Sequence, residues 1–294
     1  MKLIFVFIFT TLSVFANDAL VSAKWLNTNI DDKNIRIIEV SDQETYNQGH
    51  IPNAVLSSID KWRSNNGTYL AIRSTNEIQK EMSRLGIDNN MHVVIYSPVS
   101  TPKDFLKASY VFWAMNHYGI TNVSLLDGGK SDWIAHGYAL SKNAVSVQAT
   151  TLSIKPNTSN IVHLEYVKAN LGKLPMIDAR PSDKYLGITP TATVERDGHI
   201  SGAMSYSWNY SVDKNYKLKP VNDLNKLFAD GYKLAKDQEI IVYCTGGLET
   251  SFNYFVLSGV LGYTNIRLYD ASMKEWGNRT DTPMTKYKYE VFTK

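Results

Sequence analysis

The fold of this chain of 294 residues is decided by the stretch Glu239-Ile-Ile-Val-Tyr-Cys-Thr-Gly-Gly-Leu-Glu-Thr-Ser-Phe-Asn-Tyr-Phe-Val-Leu-Ser-Gly-Val-Leu261. Its first residues, up to Cys244, predict a buried strand, and the apolar run from Ser251 to Leu261 predicts a helix. Cys244 is the only cysteine and ends the strand, so that a short loop separates it from the helix. In parallel α/β sheets, ligands bind beyond the carboxyl ends of the strands, which is where Cys244 is predicted to lie.

The position of Cys244 predicts a reactive thiol. Backbone N–H groups and the positive end of a helix dipole should meet there, and such an environment lowers the pKa of a thiol and favours the thiolate. Gly246 and Gly247 allow the backbone to approach a bound anion closely. We therefore expect Cys244 to be a nucleophile with a lowered pKa. The alternative is a small buried hydrophobic residue, as most free cysteines are.

The N-terminus is typical of a secretory signal peptide. Lys2 precedes the apolar run Leu3–Phe15, and Val14 and Ala16 form a cleavage signal. Residues 1–16 are therefore expected to be removed and the protein exported, most simply to a bacterial periplasm, with no stable membrane anchor after cleavage. The alternative is an uncleaved anchor or a buried strand. One odd cysteine in an exported chain also favours a free thiol over a disulfide.

Composition excludes several classes of function. The chain is 44% hydrophobic and 20% charged, which is ordinary for a globular protein. The net charge of +3 is small and scattered, so nucleic acid is not an expected partner. One cysteine and six dispersed histidines provide no metal-ligand spacing, and no glycine-rich phosphate or dinucleotide motif occurs. No metal and no cofactor are expected, and the oligomeric state stays open.

The chain repeats itself at the scale of a domain. Four landmarks occur in the same order and at nearly equal spacing in both halves. The matched pairs are Arg36–Ser41 with Pro175–Arg180, Gly49–Ala54 with Gly198–Ala203, His92–Ser97 with Glu239–Cys244, and Asn122–Asp127 with Asn265–Asp270. The sequence therefore predicts two copies of one domain of about 130 residues, which is a usual domain size.

Within each copy, strands and helices are predicted to alternate. The strands include Ile35–Val40, His92–Tyr96 and Val123–Leu126, and the helices include Thr75–Leu85, Phe105–Asn116, Val221–Ala229 and Ser251–Leu261. This order predicts an α/β fold with two domains in tandem, each a mainly parallel sheet flanked by helices. The predicted domains are residues 17–143 and 161–294, joined by a polar linker at 144–160.

The ordered motifs resemble the rhodanese family of sulfurtransferases, and more narrowly its tandem-domain thiosulfate and 3-mercaptopyruvate sulfurtransferases. The motifs of the second copy are Asp178-Ala-Arg180, Gly198-His-Ile-Ser-Gly-Ala203, Val242-Tyr-Cys244 with Gly247, and Tyr269-Asp270 with Glu275-Trp276-Gly277. The resemblance covers essentially the whole chain after the signal peptide. It implies an inactive N-terminal domain and a C-terminal domain in which Cys244 carries a persulfide between a small anionic sulfur donor and a thiol or cyanide acceptor.

The resemblance also implies roles for individual residues. The active loop is the six residues from Cys244 to Glu249, whose backbone amides wrap around the sulfur. Arg180 and Arg196 match arginines that bind the anionic group of the substrate. The alternative for Arg180 is an ordinary ion pair with Asp178 or Asp183. Asp178, His199 and Trp276 are expected to be structural. The implied substrate-binding set is Arg180, Arg196, Thr245, Gly246, Gly247, Leu248 and Glu249.

The loop departs from the family pattern at Thr245, Gly246 and Glu249. An acidic sixth residue would repel an anionic donor if it pointed inward. We therefore expect Glu249 to face solvent at the N-terminus of the helix, where a carboxylate is favoured.

The first copy lacks the chemistry of the second. Ser97 replaces the cysteine, Ser41 stands in the place of Arg180, and nothing in the residues after Ser97 supplies a base. Its expected use is to pack on the second copy and form one wall of the substrate cleft.

Two other functions remain open. A phosphatase or arsenate reductase would need an arginine to close the loop around an oxyanion, and Thr250 or Ser251 stands there instead. A non-catalytic or sulfur-carrier binding module is the other alternative, because Glu249 is unusual for an active sulfurtransferase loop.

Overall fold

The structure of this protein is a computed structural model that describes residues 19–292. It contains two parallel sheets, one in each half of the chain. The predicted signal peptide, residues 1–16, lies outside the described residues. Each sheet is flanked by helices, so the predicted α/β class with two tandem domains is confirmed.

The first repeat contains a sheet of five parallel strands in the order β1-β7-β6-β2-β3, and an antiparallel hairpin, β4-β5. The hairpin leaves the sheet and extends toward the second repeat. The elements of this repeat are β1 (Leu20–Val21), α1 (Ala23–Thr28), β2 (Ile35–Val40), α2 (Gln43–Gln48), β3 (Val55–Ser57), β4 (Arg63–Asn65), β5 (Leu70–Ile72), α3 (Thr75–Arg84), β6 (His92–Tyr96), α4 (Pro102–His117), β7 (Val123–Leu126) and α5 (Gly129–Ala135).

The second repeat contains a sheet of four parallel strands in the order β10-β8-β11-β12, and a two-stranded antiparallel sheet, β13-β9. A π-helical turn, Phe255–Val260, continues the helix that follows the central strand. The elements of this repeat are α6 (Leu164–Ala169), β8 (Met176–Asp178), α7 (Ser182–Tyr185), β9 (His199–Ile200), β10 (Met204–Ser205), α8 (Val221–Lys226), β11 (Ile240–Tyr243), α9 (Leu248–Tyr254), β12 (Ile266–Leu268), α10 (Ser272–Trp276) and β13 (Met284–Thr285).

The two sheets have the same strand order. The order β7-β6-β2-β3 of the first repeat corresponds to β12-β11-β8-β10 of the second. The central strand of each sheet is an apolar, largely β-branched run, as expected for a strand covered on both faces. In the second sheet Tyr243 is in register with Asp178, so the Asp178 and Cys244 motifs meet at the same edge.

Helices α4 and α9 join the two repeats through a shared apolar core. The rings of Phe105 and Phe252 pack edge to face with centroids 5.0 Å apart, and Phe112 and Phe255 do the same at 5.1 Å. The hydroxyls of Ser109 and Ser251 hydrogen bond at 3.0 Å within this contact. One core therefore runs through both repeats, which fixes the first repeat against the active loop of the second.

The polar segment between the repeats has no helix or strand from residue 144 to residue 157. It lies along α3, where the N–H of Thr150 donates to the carbonyl of Ser83 at 3.1 Å and Leu152 is buried. Among residues 19–292, no helix is both long and apolar enough to cross a lipid bilayer.

Candidate active site

Cys244 lies directly after strand β11, fully buried at the start of the loop that leads into α9. Its Sγ accepts the backbone N–H of Gly247 at 3.1 Å and that of Gly246 at 3.4 Å. The hydroxyl of Ser272 fixes the loop from the other side by accepting the N–H of Cys244 at 3.0 Å. Two N–H groups that converge on one sulfur form a small anion-binding nest.

Gly247 is required for this geometry. Its φ is +96°, a left-handed conformation that side chains other than glycine rarely adopt. A Cβ at this position would also overlap the Oδ1 atom of Asp270. Glycine at the fourth loop position is therefore set both by backbone conformation and by the approach of Asp270.

The expectation of a lowered thiol pKa is wrong for this structure. Burial of the sulfur raises the pKa of Cys244 to about 12, and the nearby carboxylate of Glu249 adds to the rise. The N–H of Gly246 and the N–H and hydroxyl of Thr250 act in the opposite direction but do not compensate. Desolvation therefore outweighs the loop amides, and Cys244 is a protonated thiol in the absence of donor.

The expectation that Glu249 faces solvent is also wrong. Its Oε2 atom turns back over the loop to lie 3.5 Å from the N–H of Thr245, and its carboxyl group contacts the Cys244 thiol. Burial raises the pKa of Glu249 as well, with a contribution from Asp178. The carboxyl still lies at the helix N-terminus, where it is partly exposed to the cleft and lies beside the sulfur.

A cleft of ≈ 550 Å³ opens above the loop, between the two repeats. The second repeat contributes Thr245, Gly246, Leu248 and Glu249 from the loop and α9, together with Lys274 from α10. The first repeat contributes cations of its own. The lining residues from the first repeat are Arg63, Leu70, Pro102, Lys103 and Leu106.

Arg63 clamps the active loop from the first repeat. Its guanidinium donates to the carbonyl of Gly246, and to the carbonyl of Leu70 at 2.7 Å. It also lies 3.9 Å from Oδ1 of Asp270 and 4.4 Å from the ring centroid of Tyr110. Asp270 in turn accepts the hydroxyl of Tyr110 at 3.1 Å. The side of the cleft that the first repeat forms is thus a buried polar network, and through Arg63 it contacts the backbone of the active loop.

The structure does not place Arg180 or Arg196 in the lining of the cleft, unlike the arrangement expected for a substrate-binding role. Arg180 is buried and holds Asp178 in a two-pronged ion pair, with Nε–Oδ1 at 2.9 Å and Nη2–Oδ2 at 2.5 Å. Arg196 donates to the carbonyls of Trp276 at 2.9 Å and Thr282 at 2.8 Å, near the end of α10. Protein acceptors therefore already occupy both guanidinium groups.

The first repeat supports a structural role for Arg180, because it builds the same contact without any cysteine. There Lys130 pairs with Glu39 at 3.0 Å and donates to the carbonyl of Gly49 at 2.8 Å. Arg180 likewise donates to the carbonyl of Gly198, the counterpart of Gly49, at 2.6 Å. A contact that recurs in a repeat without the nucleophile serves the fold of the repeat.

Three other residues singled out in the sequence also lie in the framework around the loop. His199 stacks on Tyr185 with ring centroids 3.7 Å apart, and burial lowers its pKa, so it is neutral. Asp178 is the partner of Arg180. Trp276 is fully buried and donates its indole N–H to the carbonyl of Pro283 at 3.0 Å.

The site around Ser97 in the first repeat is filled by the second repeat. Tyr216 and Leu218 line the remaining cavity of ≈ 20 Å³ next to Ser97, which has room for about one water molecule. The N–H of Leu218 donates to Asp127 at 2.9 Å, just as the N–H of Ile72 donates to Asp270 at 3.0 Å. Each repeat therefore covers the loop of the other, with a cleft of ≈ 550 Å³ above the Cys244 loop and one of ≈ 320 Å³ beside Val99 of the Ser97 loop.

The cations that line the cleft were not predicted from the sequence. Lys274 lies within a motif that was recognised, and its side chain passes over Gly246. Lys103 is the second residue of α4 in the first repeat, and Arg63 lies on a hairpin far from Cys244 in sequence. The presence of lysine in the motif was a usable signal for Lys274, whereas the other two depend on how the repeats pack.

Comparison with known proteins agrees with this geometry. The sequence profile of the rhodanese-like domain matches the chain twice, at residues 22–136 and 163–279. "Sulfur carrier protein TtuD" of Thermus thermophilus is 31% identical over 285 residues, which cover 92% of this chain and 97% of that protein. A "Putative thiosulfate sulfurtransferase" of Haloferax volcanii is 30% identical over 289 residues, or 93% of this chain and 98% of that protein.

Solved structures share the fold at lower sequence identity. YnjE superposes with a TM-score of 0.82 at 20% identity, covering 92% of this chain and 69% of that one. The anaerobic ergothioneine biosynthesis enzyme from Chlorobium limicola superposes with a TM-score of 0.80 at 20% identity, covering 94% and 71%. These likenesses extend over both repeats.

Proposed function

The chain belongs to the rhodanese family, and on that premise we propose that it is a sulfurtransferase that works through a persulfide on Cys244. A small anionic donor, namely thiosulfate, 3-mercaptopyruvate or a persulfide, gives up its sulfane sulfur, and a thiol or cyanide accepts it. The observation that carries the proposal is the convergence of the Gly246 and Gly247 N–H groups on Sγ of Cys244. A persulfide carries a negative terminal sulfur, which such N–H groups stabilise without reorganisation.

The reaction has two halves. In the first, Cys244 loses its proton and attacks the sulfane sulfur of the donor, whose leaving group departs with the bonding electrons. In the second, a thiophile attacks the terminal sulfur of the persulfide and Cys244 is regenerated. The ≈ 550 Å³ cleft is large enough for a small donor next to the loop.

Lys274 and Lys103 are the residues we propose for binding the anionic group of the donor. They line the cleft from opposite repeats, and neither forms an ion pair with another described residue. Arg63 adds positive charge at the same wall, although its guanidinium is already engaged with the loop. Two unpaired ammonium groups can hold a carboxylate or a sulfur oxyanion by charge-assisted hydrogen bonds.

A sulfur-carrier role is the second candidate. The observations that favour it are the relative named as a sulfur carrier and the complete burial of the thiol. A carrier would form the persulfide and pass it to a protein, with little turnover on cyanide or small thiols. A phosphatase role has less support, because the loop ends in Glu249 and no described arginine closes it from within.

We also propose that the protein is exported, on the signal-like sequence of residues 1–16. N-terminal sequencing of the protein purified from a periplasmic extract tests this. A new N-terminus near Asn17 is expected, and recovery only in the cytoplasm with Met1 retained would contradict it.

Intact mass spectrometry tests the persulfide directly. The purified protein is incubated separately with thiosulfate, 3-mercaptopyruvate and glutathione persulfide, and a gain of one sulfur atom is expected with at least one of them. Cys244→Ser is the matched control, since it keeps the fold and removes the only thiol. Sulfur transfer to cyanide at wild-type rates by Cys244→Ser would refute the mechanism.

A further inference from the structure

Among the residues that the structure describes, Glu249 is the one acidic residue that lines the cleft above the active loop. The other charged residues of that lining are Arg63, Lys103 and Lys274. The carboxyl group is held over the loop by the N–H of Thr245 and contacts the Cys244 thiol. A carboxylate in this position hinders the approach of a highly charged anion, so its presence needs a chemical reason.

The thiol and the carboxyl are placed to share one proton. The Oε2 atom of Glu249 lies 3.5 Å from the backbone N of Thr245, the residue after Cys244, and the thiol hydrogen bonds to the carboxyl group. Burial raises the pKa of both groups, and the charge of Glu249 raises the pKa of the thiol further, whereas the hydrogen bond from the thiol lowers the pKa of Glu249. The thiol therefore keeps its proton in the absence of donor, and some group must accept it when the sulfur attacks. His199 is unsuited to this role, because its ring is stacked on Tyr185 behind Asp178 and Arg180, outside the cleft lining.

We propose, on the basis of the function proposed above, that the carboxylate of Glu249 takes the proton of Cys244 and returns it to the leaving group of the donor. The preferred donor is then a persulfide. The freed electron pair of Sγ forms a bond to the outer sulfur of the donor. The S–S bond of the donor breaks, and its inner sulfur leaves with both electrons as a thiolate. That thiolate takes the proton from Glu249, which becomes a carboxylate again.

The step balances as Cys244 thiol plus a persulfide anion giving the Cys244 persulfide anion plus a free thiol. No oxidant, reductant or further reactant is needed. The advantage of Glu249 depends on the basicity of the leaving group. A thiolate is a strong base that gains from protonation, whereas the sulfite released from thiosulfate is a weak one. Thiosulfate, a dianion, also meets the negative charge of Glu249 as it enters.

The test is Glu249→Gln, assayed with two donors and the same acceptor. Formation of the Cys244 persulfide is followed by rapid quench and intact mass, with glutathione persulfide and with sodium thiosulfate, and turnover is measured with cyanide. A general acid–base group contributes about 10²–10⁴-fold, so we expect a loss of at least about 100-fold with glutathione persulfide. With thiosulfate we expect a much smaller loss, because the weakly basic sulfite gains little from the returned proton and because a negative charge that opposes the dianion has been removed. Glu249→Asp should recover part of the persulfide rate.

Glu165→Gln is the matched control, since it makes the same substitution at an exposed position on α6. It should leave both donors unaffected. Equal losses with both donors in Glu249→Gln, or no loss with either, would overturn the role of Glu249 while leaving the Cys244 mechanism intact. If the wild-type protein accepts sulfur from no donor, the proposed function itself fails.

Discussion

Replacing Arg63 with methionine should both destabilise the protein and release the active loop. Methionine keeps most of the length of the side chain but removes the charge and all its donors. The side chains of Arg63 and Asp270 are each only 5% exposed, so water cannot replace the lost partner. The carbonyls of Gly246 and Leu70 also lose their donor.

The expected cost follows from this burial. Removing one partner of a buried ion pair typically costs about 3–5 kcal/mol, because the other charge is left uncompensated. That is a fifth or more of the total stability of about 5–15 kcal/mol expected for a folded protein. Asp270→Asn in the same chain should recover part of the loss, since the remaining side chain is then neutral while Tyr110 and Ile72 keep an acceptor.

The destabilisation should depend on pH in a defined direction. Burial already raises the pKa of Asp270, and Arg63 opposes that rise. Loss of Arg63 moves the folded-state pKa further above its unfolded value. The penalty is therefore full above the raised pKa and shrinks as the pH falls, where the carboxyl is neutral in both states. The loss in Arg63→Met should be larger at about pH 8 than at about pH 5.

Urea unfolding followed by tryptophan fluorescence measures the stability, and kcat/KM for the donor measures the effect on the loop. Arg279→Met is the control, because its pair with Asp281 is exposed to solvent and should not contribute measurably. An Arg63→Met protein as stable and as active as the Arg279→Met protein would refute the idea that the first repeat holds the active loop.

The remaining predictions concern the Cys244 thiol and the buried basic residues of both repeats. Alkylation of Cys244 by iodoacetamide should be slow at neutral pH, because the raised pKa leaves little thiolate. The alkylation rate should rise with pH, with a midpoint above the pKa of about 8.5 for a free thiol. Glu249→Gln should lower that midpoint, and a wild-type midpoint below about pH 8.5 would contradict the burial argument. Arg180→Met should lower the free energy of unfolding by about 3–5 kcal/mol in urea, and Lys130→Met in the first repeat should have a similar effect. Arg196→Ala should leave kcat/KM for the donor unchanged in the folded enzyme. A specific rise in donor KM on either arginine substitution would restore the substrate role that the geometry removes.

The repeat and its strands could be predicted from the sequence because their signals are local. Ile35–Val40, His92–Tyr96 and Val123–Leu126 are strands with the predicted bounds, since an apolar β-branched run of that length fits a sheet covered on both faces. Helix α9 begins at Leu248, three residues before the predicted start, because Gly247 in its left-handed conformation already ends the loop.

The position of Cys244 was equally accessible from sequence, but its electrostatics were not. The loop length, the glycines and the strand before them are local features that place the sulfur among backbone N–H groups. The pKa of the thiol depends on how completely the surrounding repeat excludes water and on the direction of the Glu249 side chain. Sequence shows only that an acid is present at the sixth loop position, and a single side-chain rotation decides whether it faces the solvent or the sulfur.

The roles of the cations were decided by tertiary structure alone. Arg180 and Arg196 stand at the expected places in the sequence, yet Asp178 and the carbonyls near the end of α10 occupy them. Arg63 and Lys103 reach the cleft because α4 and α9 pack together and carry one repeat onto the other. Such contacts join residues far apart in the chain and depend on the packing of whole elements. The sequence therefore determined the fold and the position of Cys244, and the packing determined what surrounds it.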